Sequence, residues 1–198
     1  MSNPKKPRFK PANAAKKGDY TFEVCDKADR AKARDLVKRE HYTGSSSFMG
    51  TIVCAKRDGQ VVAAAQFLPP LPPAAKKHAK TDPKKVPNLS RLVVASGEPQ
   101  NVATMLIGAS LRLLKKDRKY DTVLTFADMS RGHTGAIYKA TNAQSCGVSR
   151  AAPFWVDPKT GQRVSAKSTK TRTVAQMRAL GYERQISQGK YCFKWELS

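Results

Sequence analysis

Val123-Leu124-Thr125-Phe126-Ala127 is a nearly unbroken apolar run that ends in an acid, Asp128. A strand that is apolar on both faces is buried on both faces, so this run predicts a central strand with helices packed above and below. The expected class is α/β (α+β) with a mixed sheet. A turn punctuated by Gly132 and Gly135 follows and contains His133, and Tyr138 then falls on a short helix expected over residues 134–142. Asp128, His133 and Tyr138 thus gather at one sheet edge, where open α/β sheets keep their sites.

The remaining elements can be read around that strand. Residues 20–24 alternate as a strand. Asp26 or Asp29 can cap a helix that runs to about residue 39 and buries Ala33, Leu36 and Val37. Residues 49–55 and 61–68 form two strands joined by a hairpin turn at Arg57-Asp58-Gly59-Gln60. A strand at 89–95 leads through Gly97 and Pro99 to Asn101. Asn101 is the expected cap of a helix over 102–116 with Val102, Met105, Leu106, Ala109 and Leu113 at helical spacing. A strand is expected at 153–156 and a helix at 174–180. A last strand at 191–197 has Tyr191, Phe193, Trp195 and Leu197 on one face.

The formal net charge is +22, and self-repulsion of that size destabilises a compact chain unless a polyanion neutralises it. Most of the charge lies in three segments poor in apolar residues: a tail over 1–19 and basic inserts near 74–88 and 157–173 in a domain spanning 20–198. These segments read as loops or tails laid along phosphate. The candidate DNA contacts are Lys76, Lys77, Lys80, Lys84 and Lys85 in the first insert, and Lys159, Arg163, Lys167, Lys170 and Arg172 in the second. The expected partner is a nucleic acid, which the family resemblance given below implies to be double-stranded DNA. No apolar run approaches the length of a membrane span. Cys25, Cys54, Cys146 and Cys192 lack metal-finger spacing and read as reduced, mostly buried thiols of a cytoplasmic protein.

Asp128 has two readings, a cap for the following turn or a general base or metal ligand facing a cleft. Tyr138 is either a half-buried aromatic or a proton donor. His41 and Tyr42 follow the first helix and open a small-residue run, 43–47, suited to covering or lining a cleft. Arg91 sits on an apolar strand, where it is either a structural ion pair or a grip for an anionic group. The glycines beside His133 allow close approach of backbone to a ligand.

The element order, with one helix before a hairpin and later strands alternating with helices, resembles the GNAT acyltransferase fold. Four stretches add a closer likeness: Glu40-His41-Tyr42-Thr43-Gly44, Leu89-Ser90-Arg91-Leu92-Val93-Val94, the segment 126–142, and Gly189-Lys190-Tyr191-Cys192-Phe193-Lys194-Trp195. Together they resemble the Mom family of DNA-modification proteins of Mu-like bacteriophages, in register over about residues 21–197. The Gly-His-x-Gly-x-Ile-Tyr core at 132–138 is the most specific part. The resemblance implies a GNAT-like, splayed sheet and a phage-encoded enzyme working in the bacterial host cytoplasm. It implies transfer of a carbamoylmethyl group to the exocyclic amine of adenine in DNA, which protects phage DNA from restriction. It also implies that Asp128, Tyr138, His41, Tyr42 and His133 carry the chemistry. Ser90, Arg91, Asn101, Gly132 and Gly135 then hold donor or substrate.

One departure bears on the donor. GNAT enzymes grip the pyrophosphate of coenzyme A with a glycine-rich loop before the long helix. Here that place reads Ser96-Gly97-Glu98-Pro99-Gln100-Asn101, with an acid and a proline. The loop argues against acyl-coenzyme A and for another activated donor. His41, Asp128 and His133 are by donor chemistry a candidate set for iron. Two other functional classes stay open, a non-catalytic basic DNA-binding protein and a GNAT enzyme acting on another amine. A homodimer is one admissible assembly.

Overall fold

The computed structural model describes residues 14–47, 49–69, 71–161, 163–164 and 173–197. The chain runs β1 (Thr21–Val24), α1 (Lys27–Glu40), β2 (Thr51–Arg57), β3 (Gln60–Leu68), α2 (Pro72–His78), β4 (Asn88–Val94), α3 (Val102–Lys116) and β5 (Thr122–Asp128). It continues through α4 (Ala136–Ala140), β6 (Gln144–Val148), β7 (Pro153–Val156), β8 (Arg163–Val164), α5 (Val174–Ala179), β9 (Glu183–Ile186) and β10 (Lys190–Glu196). A seven-stranded sheet has the order β1-β2-β3-β4-β5-β10-β6, and a separate three-stranded sheet has the order β8-β7-β9. All neighbours in the large sheet are antiparallel except β4 and β5.

Side-chain alternation divides the core between two faces of the large sheet. Val53, Ala55, Ala63, Ala65 and Val123 point to one side, where Val102, Leu106, Ile107 and Leu114 of α3 cover them. Ile52, Cys54 and Ala64 point to the other, against Ala33, Leu36 and Val37 of α1. Ala63, Ala64 and Ala65 are all fully buried; their small side chains let helices approach β3 from both sides. Each fully buried Leu or Ile in these layers contributes about 1.5–3 kcal/mol. At the far end Leu124 and Cys192 pack with Ala75 of α2 and with Val86.

The expected strands and helices recur with small shifts, and several local expectations are corrected. Asp26 is the cap of α1, its side chain accepting from the Asp29 amide at 2.8 Å. Asp29 is buried because Lys56 pairs with it and with Glu23. The hairpin turn has Asp58 and Gly59 both at positive φ, as a two-residue turn requires. The first basic insert is not a loop throughout: residues 72–78 are helical, led by prolines at the first turn, where the missing amide hydrogen costs nothing. Gly135, at φ 74°, holds the capping place of α4. Asn101 precedes α3 but makes no capping bond; its side chain instead exchanges two 2.9 Å hydrogen bonds with the Ala15 backbone. Residue 15, expected in the tail, is thereby docked beside α3. Strands β6, β8 and β9 were not expected, and β7 lies outside the large sheet.

Candidate active site

The parallel pair β4–β5 makes register at only two positions, Asn88 with Leu124 and Leu89 with Thr125. Beyond them β4 follows β3, pairing Arg91 with Gln66, while β5 follows β10, pairing Phe126 with Cys192. The strands separate, and a cavity of about 570 Å³ opens between them. Leu89, Ser90, Arg91 and Leu92 line one wall and Phe126 and Ala127 the other. The end of α1 (Glu40, His41, Tyr42) and the turn into α4, from Gly132 to Tyr138, complete it. A basic cavity of about 780 Å³ adjoins it and contains Asp128, Arg131, Arg163 and Lys190. A third of about 350 Å³ reaches Leu71 and Ala74 at the start of α2. Tyr42 lines all three.

Tyr42 is surrounded by cationic and aromatic groups. Its ring centroid lies 4.4 Å from that of His41 and 5.5 Å from that of His133, the latter edge-on. The Arg131 guanidinium lies 5.3 Å over the same ring. His41 Nδ1 accepts from the Thr43 amide at 3.2 Å and contacts Thr43 Oγ1 at 2.8 Å, which leaves the neutral ring's proton on Nε2. Burial, then the Arg91 charge and His133, push the His41 pKa down to about 4. At neutral pH this imidazole is an uncharged donor.

Arg91 donates to the Ser90 carbonyl at 2.8 Å, to Ser90 Oγ at 2.9 Å and to the Ser45 carbonyl at 3.1 Å. Among the described residues it has no carboxylate partner, so the ion-pair reading is not realised. The charge faces the cavity and suits an anionic or strongly polar ligand group. Gln66, fully buried, ties the small-residue run from the other side by donating to the Ser47 carbonyl at 2.7 Å.

Both readings of Asp128 have a structural counterpart. Its Oδ1 accepts from the Ser130 amide at 3.1 Å and the Ser130 hydroxyl at 2.5 Å, which caps the turn over 129–131. Its Oδ2 lies 3.7 Å from Arg163 Nη1 and 3.8 Å from Lys190 Nζ. Burial would raise its pKa, but the Ser130 bonds and the two cations outweigh burial and hold it below the usual carboxylate range. Asp128 is therefore ionised at neutral pH. Tyr138 stacks against Phe193 at 5.5 Å and Trp195 at 5.8 Å. Burial raises its pKa, partly opposed by the Thr125 hydroxyl, so its phenol stays protonated.

The two glycines differ. Gly132 at φ 71° has open space around it, whereas a Cβ on Gly135 would lie 2.2 Å from the Phe193 ring. Close packing on protein, rather than on a ligand, explains Gly135. Of the expected phosphate contacts, Arg163 belongs to the site itself, bridging from Asp128 to the Phe154 ring at 3.7 Å. Lys76 and Lys77 lie on α2, Lys84 and Lys85 on the short turn 83–85, and Lys80 and Lys159 on loops. Lys85 pairs with Asp121 at 3.4 Å. Lys167, Lys170 and Arg172 lie outside the described residues. Ser130, Arg131 and Lys190 received no role from the sequence. Lys190 was findable, because an antiparallel last strand beside β5 sets it opposite Asp128.

The candidate iron set does not fit this arrangement. Among the described residues, His41, Asp128 and His133 do not bring ligand atoms within 4.8 Å of one another. The free oxygen of Asp128 faces two cations, which disfavours iron there. In the loop before α3, the Glu98 amide is spent on the Ala95 carbonyl and the Val102 amide on the Pro99 carbonyl, while Pro99 has none. The acid of this loop, Glu98, is already partnered. Its carboxylate is buried, paired with Arg57 at 2.8 Å and accepting from the Tyr20 hydroxyl at 2.6 Å. Two of the loop's amides are thus already used, and residue 15 is seated on Asn101.

A mixed sheet splayed between its parallel strands, with a tyrosine on the helix after the splay, defines a GNAT fold. The Escherichia coli ribosomal-protein-S18-alanine N-acetyltransferase is similar at TM-score 0.55 and 12% identity, covering 90% of this chain and 94% of that one. Aminoglycoside 6'-acetyltransferase type Ii gives TM-score 0.55 at 13% identity, covering 90% and 97%. An N-acetyltransferase from Staphylococcus aureus Mu50 gives 0.54 at 11%, covering 90% and 97%. The chain has no significant match among curated protein sequences. Residues 21–192 match the Mom protein family, and the chain belongs to that family. No helix among the described residues is long and apolar enough to cross a membrane.

Proposed function

We propose that this protein is a transferase that attaches a carbamoylmethyl-type group to the exocyclic amine of adenine in DNA, shielding phage DNA from host restriction. The observation that carries this reading is the cavity of about 570 Å³ at the strand splay, walled by Tyr42, Arg91, His133 and Tyr138, in a chain of net charge +22. Membership of the Mom family supports it.

An adenine amine in a duplex is paired and stacked, so the base has to be flipped out. The cavity is of the size that takes a small ligand. The exposed Tyr42 ring offers a stacking surface, worth about 1–3 kcal/mol per base. Arg131, Arg163 and Lys190 in the adjoining cavity are available to the flanking phosphates. The amine attacks the activated carbon of the donor. A nitrogen–carbon bond forms as the bond to the leaving group breaks. Tyr138, kept protonated by burial, gives its proton to the leaving group. The alkylated amine is acidic and needs only a weak base, a demand that ionised Asp128 meets. The donor is an activated molecule other than acyl-coenzyme A.

The test is mass spectrometry of nucleosides from DNA of cells expressing this chain. The expected result is a deoxyadenosine carrying one carbamoylmethyl group on its amine; unmodified deoxyadenosine throughout contradicts the reading.

A further inference from the structure

Three soft donors meet away from the splay. His78 ends α2, Cys146 lies on β6 and Cys192 on β10, and one ligand atom from each lies within 4.8 Å of the other two. Cys192 is fully buried, and His78 and Cys146 are partly exposed. Around a tetrahedral zinc, with bonds of about 2.0–2.3 Å, such atoms stand roughly 3.5–3.8 Å apart, so side-chain adjustment of about an ångström suffices. A second trio, Glu23, Asp29 and Cys54, differs because the Lys56 ammonium already sits between its carboxylates.

We propose that His78, Cys146 and Cys192 bind a zinc ion that clips the first basic insert to the sheet. Cys2His is a soft donor set that suits zinc, with a fourth position left for water or a further ligand. Lys77 and Lys194 lie close enough to act on these groups. They disfavour a bare dication, but zinc with two thiolates and a neutral imidazole has no net charge. Binding converts two thiols to thiolates and releases their protons to solvent. The gain is structural. α2 is a short, lysine-bearing helix held by only a small apolar cluster around Ala75, Val86, Leu124 and Cys192. Its Ala74 also lines a cavity next to the splay. A metal clip would fix Lys76 and Lys77 relative to that cleft.

The experiment uses the full chain, stripped by chelator and kept reduced with a phosphine, titrated with zinc against a chromophoric chelator. The expected result is about one zinc per chain, release of about two protons per ion, and a Tm raised by several degrees. Cobalt in its place should give thiolate-to-metal charge-transfer absorption. Cys146→Ser and His78→Gln, both at partly exposed positions, should each weaken zinc binding at least about tenfold and abolish the Tm rise. If one variant fails to fold, the other decides. No zinc uptake by the wild type overturns the proposal. So does uptake unchanged in a folded variant, or uptake abolished by His41→Gln.

Discussion

Gly135→Ala and Gly132→Ala separate backbone strain from packing in the turn that delivers Tyr138. Both glycines are left-handed, at φ 74° and 71°. That conformation costs an L-residue about 1–2 kcal/mol, and the loss of unfolded-chain entropy returns about 0.4–1 kcal/mol. At Gly132 nothing lies within 4 Å of the new methyl, so the net cost is about 0.5–1 kcal/mol. At Gly135 the methyl would lie 2.2 Å from Phe193 Cε2 and 2.3 Å from Cζ. That ring is 1% exposed and packs on Tyr138, so it cannot step aside freely. Overpacking adds about 1–3 kcal/mol. At roughly 2–4 °C per kcal/mol for a domain of this size, Gly132→Ala should lower Tm by about 1–4 °C and Gly135→Ala by about 3–16 °C. Differential scanning calorimetry measures both. Phe193→Leu, which removes the clashing ring atoms, should recover part of the loss in the Gly135→Ala background but not in the Gly132→Ala background. Equal losses at the two glycines, or no recovery, would refute the packing argument.

Asp128→Asn keeps the bonds to Ser130 but leaves Arg163 and Lys190 without their counter-charge. Adenine modification should fall by roughly two to four powers of ten while DNA affinity holds. Replacing Lys76, Lys77, Lys80, Lys84 and Lys85 with Ala should reduce the slope of log affinity against log salt by several units, measured by fluorescence anisotropy on duplex DNA. Lys85 should contribute least, because Asp121 already pairs with it. His41 gives a pH signature. Its pKa is about 4 in the folded state and about 6.5 unfolded, so the unfolded chain alone takes up a proton between those values. Stability is lost as pH falls from about 6.5 to 4, on the order of 1–2 kcal/mol after solvent screening. His41→Gln should be flatter over that window in urea titrations.

What the sequence disclosed follows from periodicity and burial. The helix α3 was legible end to end because Val102, Leu106 and Ala109 repeat at helical spacing against a wide apolar face. The strand β5 was legible because both of its faces are buried. The strands β6 and β9 were not, because they are mostly exposed and polar, and pairing rather than apolar pattern holds them. The helix α2 hid behind prolines and lysines, with only Ala75 buried. Local motifs singled out Asp128, His133 and Tyr138, of which His133 and Tyr138 line the splay cavity and Asp128 the adjoining one. The approach of Arg163 and Lys190 to Asp128 depends on tertiary packing across sequence separations of 35 and 62, which no local spacing encodes. The convergence of His78 with Cys146 and Cys192 was hidden for the same reason.

The central claim is that the cavity at the strand splay performs the transfer, with Tyr138 as proton donor. Tyr138→Phe removes one hydroxyl and keeps the ring against Phe193 and Trp195, so the fold should be untouched. The direct measurement is modified adenine in DNA from cells expressing this variant, quantified by nucleoside mass spectrometry beside its Tm. The account predicts modification reduced by roughly two to four powers of ten with Tm unchanged. Full modification in a stable Tyr138→Phe protein would contradict it.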